Sequence, residues 1–208
     1  MRYNTYILRI RKPTIVFLGT YPPRECGIAT FTKGLLFYSQ KFLGPKMLCK
    51  VATFNLSPLD TYKYPPEVLW EIDQNNQKEY IGLAKEINSE SYVSGVILQH
   101  EYGIFGGDDG ENILYFMKLC KKPILVTLHT VLPNPSQHMK YTTSQIIKYA
   151  STIVVLTQNS RKIVEEVYPE SVSKVYVIPH GIHPNTFSAP EEYKEKLELE
   201  NHTILSTF

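Results

Sequence analysis

Six short apolar runs rich in β-branched residues recur along the chain, and their alternation with helical patterns restricts the fold more than any other feature. They are "TIVFLG" (14–19), "LCKVATF" (48–54), "GVILQH" (95–100), "ILVTLHT" (124–130), "STIVVLT" (151–157) and "KVYVIP" (174–179). Runs of this length bounded by turn residues read as buried strands. Between them apolar residues fall at helical spacing: Ile28, Phe31, Leu35 and Tyr38, then Tyr80, Ala84 and Ile87, then Ile113, Phe116 and Cys120, then Ile163, Val164 and Val167. Strands joined by crossover helices predict an α/β fold with a doubly wound, mainly parallel sheet.

Ligands of such sheets sit beyond the carboxyl ends of the strands, near the point where strand order reverses. Four ends carry unusual chemistry: "GTYPPRECGIATF" after the first run, "QHEYGIFGGDDGEN" after the third, "HTVLPNPSQH" after the fourth and "IPHGIHPNTF" after the last. "LTQNSRKIV", by contrast, reads as a plain helix start capped by Thr157 or Gln158. In the first loop Pro22 and Pro23 predict an extended exit from the strand. Gly27 then lets the chain turn into a helix beginning near Ile28, whose free N–H groups suit a phosphate. A glycine needed only for a tight turn explains the same residue. Cys26 invites comparison with a nucleophile lowered in pKa by a helix N-terminus, but no His or Asn/Asp partner marks it out.

His100 and Glu101 end a buried strand, where polar groups need partners, so a polar pocket is expected there, shaped further by Tyr102 and the turn through Phe105, Gly106 and Gly107. Asp108 and Asp109 read as caps of the helix through Ile113 and Phe116 rather than as metal ligands. His129 stands at the edge of the sheet, placed either for a ligand or for an interior hydrogen bond; His138 reads as a helix-surface residue. His180 and Gly181 lie in a Pro-rich crossing that looks like a hinge.

Composition narrows the class. With 208 residues, 43% hydrophobic and 20% charged, the chain suits one ordinary globular domain. A net charge of +2 without a dense basic stripe argues against a nucleic-acid partner. Three scattered cysteines, Cys26, Cys49 and Cys120, fit a reducing compartment and show no metal-ligand spacing. The N-terminal apolar stretch is broken by Arg9, Arg11, Lys12 and Pro13 and makes a poor signal peptide, and no run is long enough to span a membrane. A nicotinamide enzyme would suit the strand pattern, but its glycine fingerprint is missing.

Taken together, "TYPPRECGIATFT", "QHEYGIFGG", "TLHTVLPNP" and "VIPHGIHPNTF", in order and at strand ends, resemble the family 4 retaining glycosyltransferases of the two-domain GT-B fold. The resemblance covers about residues 14–187 and implies an N-terminal, acceptor-side Rossmann-like domain over 1–187. Residues 188–208 would be a linker and the first strand, "HTILSTF", of a donor-binding domain. It further implies that Cys26, Gly27 and Ile28 line the cleft near the donor diphosphate. His100, Glu101, Tyr102, Phe105, Gly106 and Gly107 would shape the acceptor side, and His129 would be the histidine beside the transferred sugar. The implied co-substrate is a nucleotide-diphosphate sugar, the implied partner a glycan or other hydroxyl acceptor, and no metal or permanently bound cofactor is expected.

The family's diphosphate-neutralising Arg/Lys pair and Glu-x7-Glu segment have no counterpart before Phe208, so these residues alone are expected not to turn over a donor. The alternative is a non-catalytic glycan-binding or interaction module of the same fold. The implied location is the cytoplasm, with a peripheral membrane contact left open although no long amphipathic basic helix supports it. An open cleft face bearing Tyr21, Phe105, Ile182 and Phe187 is expected to promote weak self-association.

Overall fold

The computed structural model describes residues 12–44, 46–57, 59, 62–182, 184 and 188–205. The elements follow in the order β1 (Thr14–Gly19), α1 (Gly27–Leu43), β2 (Leu48–Asn55), β3 (Val68–Asp73), α2 (Gln77–Ser89), β4 (Val93–His100), α3 (Ile113–Met117), β5 (Ile124–Leu128), α4 (Gln137–Tyr149), β6 (Thr152–Val155), α5 (Gln158–Val167), β7 (Val175–Val177) and α6 (Pro190–Lys196). Among the described residues the strands form one seven-stranded sheet in the order β3-β2-β1-β4-β5-β6-β7, and every neighbouring pair is parallel. The fold is therefore Rossmann-like, with the order reversing between β1 and β4, the place where sheets of this kind bind their ligands.

Alternation along β1 sorts the core. Val16 and Leu18 enter a large cluster with Phe54, Trp70, Tyr80, Phe105 and Ile146, while Phe17 enters a smaller one with Tyr21, Leu36 and Val51. All six expected strands form, although the last is shorter than the apolar run 174–179. The sequence reading passed over β3, "VLWEID", because it is an edge strand. Val68, Trp70 and Ile72 are buried while Leu69, Glu71 and Asp73 are partly exposed, so it shows alternation instead of a continuous apolar run.

Helix α1 lies where expected, but its buried line is Ala29, Thr32 and Leu36, one residue along from the expected stripe. Phe31 lies off that line and packs against His129, just past the carboxyl end of β5. Thr157 caps α5 through its Oγ1, which accepts from the Ser160 N–H at 2.9 Å. Ser136 caps α4 in the same way.

Four expectations are corrected. Pro22 and Pro23 form a turn, with a cis peptide between them, rather than an extended exit. Asp108 and Asp109 do not cap α3; they lie in a short 3-10 turn, and Asn112 precedes the helix without a side-chain capping bond. Residues 202–205 carry no strand, and residues 206–208 of "HTILSTF" lie outside the described residues, as does the basic stretch before residue 12. The open apolar face also changes: Tyr21 is 1% exposed and Phe105 0%, both drawn into the core, whereas Ile182 is 90% exposed. Phe187 lies outside the described residues. Among the described residues, the three cysteines are unpaired and no helix is long and apolar enough to cross a membrane.

Candidate active site at the strand ends

Strands β4 and β5 bring His100 and His129 side by side. The His129 N–H donates to the His100 carbonyl at 3.0 Å, extending the parallel ladder by one step. The two side chains then meet different surroundings. His129 lies within hydrogen-bond distance of Gln99, with Nε2 and Oε1 2.9 Å apart. An amide oxygen only accepts, so the proton sits on Nε2 and Nδ1 is left as an acceptor. Phe31 packs edge-on against the same ring at 4.6 Å and against His180 at 5.0 Å. Burial, and then the neighbouring His180, lower the His129 pKa to about 4, so the ring is neutral at physiological pH.

His100 does not sit in the expected polar pocket. It is 1% exposed, and neither ring nitrogen has a hydrogen-bond partner among the described residues. Tyr102 packs edge-on at 5.1 Å and Phe105 lies nearly parallel at 5.9 Å. Burial, reinforced by His129, lowers its pKa to about 3. A neutral ring between aromatics is the arrangement that avoids burying an unpaired charge.

Glu101 is the partnered member of the pair. One carboxylate oxygen accepts from the Thr130 hydroxyl at 2.6 Å, and the other accepts from the Tyr102 N–H at 2.9 Å. Its carboxylate thus ties the end of β4 to the residue following His129. Tyr102 is anchored through its hydroxyl to Thr143 of α4 at 2.8 Å.

The loop that follows is shaped by backbone more than by side chains. Gly106 and Gly107 have φ of 64° and 68°, a region that a Cβ disfavours. At Gly106 a Cβ would collide with the Gln74 carbonyl oxygen. That oxygen already accepts from the Tyr80 hydroxyl at 3.0 Å and the Asn112 amide at 3.1 Å, and the Tyr80 hydroxyl also lies against the Phe105 carbonyl. Phe105 itself packs against Phe54 at 4.9 Å, so its side chain belongs to the core and only its backbone reaches the loop.

At the first loop, Cys26 is the N-cap of α1. Its sulfur accepts from the Ala29 N–H at 3.4 Å and lies 3.0 Å from Thr20 Oγ1. Gly27 opens the helix, and nothing lies within 4 Å of where its Cβ would stand, so there is open space above the first turn. Ile28 is half-buried against the main core cluster, and its carbonyl accepts from the Thr32 hydroxyl. His180 and Gly181 are exposed, and the imidazole Nδ1 of His180 lies 2.8 Å from the Gly181 carbonyl. The structure thus gathers His100, Glu101, Tyr102 and His129, joins His180 to them through Phe31, and leaves Cys26 and Gly27 at the head of the same helix that carries Phe31. No cluster of three or more metal-ligating side chains occurs among the described residues.

Three contributors escaped sequence reasoning. Gln99 orients His129, Phe31 bridges two histidines, and Arg24 reaches from the first loop to β2. Gln99 stood inside an apolar run and Phe31 within an expected core stripe, so periodicity assigned both to packing.

No family model matches the chain, and no curated protein does. Solved structures do. An alpha-glucosyltransferase in complex with UDP and a 13-mer DNA containing an HMU base aligns over 82% of this chain and 43% of its own, with a TM-score of 0.55 and 14% identity. Anabaena HepE in complex with UDP and glucose aligns over 90% of this chain and 51% of its own, with a TM-score of 0.57 and 14% identity. The chain spans about half the length of these structures or less. The likeness is one of fold: a seven-stranded, all-parallel Rossmann-like domain of a kind that occurs in glycosyltransferases.

Proposed function

We propose that this domain is the acceptor-side half of a retaining GT-B glycosyltransferase that moves a sugar from a nucleotide-diphosphate donor to a glycan or other hydroxyl acceptor. The observation that carries the reading is His129. It is a neutral imidazole at the carboxyl end of β5, fixed by Gln99 and Phe31, with Nδ1 left to accept a hydrogen bond. A neutral, oriented ring can hold a sugar or acceptor hydroxyl without presenting a charge that would compete with a developing oxocarbenium centre. Both neighbouring structures hold UDP, which makes UDP-glucose the first donor to try.

In this reading the transfer is front-face. The acceptor oxygen attacks the anomeric carbon on the side from which the diphosphate departs, and the leaving phosphate takes the acceptor's proton, so no protein nucleophile is needed. The open first turn of α1 at Gly27 faces the diphosphate, where free N–H groups suit negative charge. Glu101, held by Thr130 and the Tyr102 N–H, stiffens the acceptor wall. In this reading a donor-binding domain supplies the cations that offset the diphosphate, and the expected outcome for the 208 residues assayed alone is no donor turnover. One neighbour holds DNA, but a net charge of +2 without a basic stripe favours a smaller acceptor here.

The test is His129→Ala in the complete protein, assayed by UDP release from UDP-glucose and other common donors. Removing one preorganised group at a transfer centre reduces turnover about 100-fold or more, while the melting temperature changes little. Equal losses of activity and stability would return His129 to a packing role. Saturable glycan binding with no turnover by the complete protein would favour a binding module instead.

A further inference from the structure

Arg24 is 8% exposed, and none of the ion pairs among the described residues includes it. Its two hydrogen bonds both leave from Nη1, to the Phe54 carbonyl at 2.7 Å and to Gln74 Oε1 at 3.3 Å. Both acceptors are neutral. Carboxylates stand nearby, but none among the described residues pairs with it: Asp73 accepts from the Asn75 N–H, Glu79 accepts from the Asp73 N–H and the Asn76 amide, and Glu71 acts with Arg24 on the Tyr64 phenol. Glu67 accepts from the Tyr21 hydroxyl. Tyr64 and Tyr80, whose phenols feel the guanidinium charge, are held neutral by burial. A largely buried guanidinium with no ion-pair partner is well placed to gain from an anion that reaches it.

The free part of the group has a shape. Nε and Nη2 carry no partner among the described residues, and neither is sealed from solvent. Together they form the parallel fork that grips a carboxylate or phosphate through two oxygens. The fork belongs to the site by connection: Gln74, which holds Nη1 through its side chain, also receives Tyr80 and Asn112 through its carbonyl and packs against Gly106. Arg24 therefore stands on the rim that ends in Gly106 and Gly107.

We propose that Arg24 is a specificity residue that holds an anionic group, a phosphate or a carboxylate, on the acceptor. This deepens the acceptor-side reading above and rests on it. The acceptor then is an acidic or phosphorylated hydroxyl compound rather than a neutral sugar, and it supplies the direct ion-pair partner that Arg24 lacks among the described residues.

Thermal-shift and calorimetric titrations of the chain with glucose, glucose 6-phosphate, glucuronate and inorganic phosphate, at constant ionic strength, test it. At least one anionic sugar is expected to bind about 10-fold or more tightly than glucose, the scale on which a charge-assisted pair acts. Which of the two wins separates phosphate from carboxylate. Arg24→Met should erase the preference, and Arg24→Lys should keep the charge but weaken binding by losing the fork. Anionic sugars that bind no better than glucose overturn the proposal in the wild type alone, even where Arg24→Met fails to fold, and so does a preference that survives Arg24→Met. Sugar binding retained without anion preference removes Arg24 and leaves the acceptor reading. Phosphate binding that depends on Arg24 but gains nothing from an attached sugar keeps the anion site and removes the acceptor reading.

Discussion

Gly27 and Gly106 look alike in the sequence and are opposites in the fold. At Gly27 a methyl group meets nothing within 4 Å and the residue is helical, so Gly27→Ala should leave stability unchanged or raise it by about 0.4–1 kcal/mol. Gly106 has φ of 64° and a carbonyl where the methyl would go, so Gly106→Ala should lose about 1–3 kcal/mol in urea unfolding. Similar losses at both positions would contradict this placement. Cys26 acts as a cap, for which serine is well suited, so Cys26→Ser should keep full stability while Cys26→Ala loses about 1 kcal/mol. The two buried histidines add a pH response. Each is neutral in the fold and titrates near 6.5 when unfolded, so the unfolded chain binds more protons below that value. Stability should therefore fall as pH drops from 6.5 toward 4, by about 2 kcal/mol for each ring at pH 5. Urea midpoints at pH 7 and pH 5 check this. His100→Leu, which suits an aromatic surround better than an unpaired imidazole, should remove about half of the fall.

Among the elements, the link between the Gly-rich loop and α4 titrates in the other direction. His138 Nδ1 meets Asp109 at 2.9 Å and Nε2 meets Glu111 at 3.3 Å, and Asp109 chiefly raises its pKa. The clasp is strongest below the ordinary histidine range and weakens as pH rises through the raised value. NMR should show a His138 midpoint above 6.5, shifted back toward that value in Asp109→Asn. A midpoint at or below it in the wild type would remove the clasp. His138 was legible as a helix-surface residue, but its partners were not, because Asp109 and Glu111 lie 29 and 27 positions away and meet it only through a tertiary turn. The same limit runs through the other elements. Continuous apolar runs gave the central strands directly, since burial on both faces leaves no polar positions. Edge strand β3 escaped through its alternation, and α1 was placed correctly but turned by one residue. The strand-end rule located His129 and Glu101, yet it assigned His100 a polar setting that the aromatic rings of Tyr102 and Phe105 replace.

For the molecule as a whole, the half-length match to the solved structures sets what to measure. The isolated 208 residues should show no donor turnover, and enzyme-like rates from them would end the two-domain reading. With Tyr21 and Phe105 withdrawn into the core, self-association rests on the exposed crossing near Ile182, and sedimentation at high concentration should find at most weak dimers. The Gln74 carbonyl governs how stiff the loop through Gly106 is. Tyr80 from α2, Asn112 ahead of α3 and the backbone at Gly106 all converge on that one oxygen. An opening there would break several contacts together, so NMR order parameters at Gly106 should match those of the flanking β4 backbone. Under the proposed function, this wall would be a fixed template that selects by refusing what does not fit, and any closing movement would fall to a partner domain.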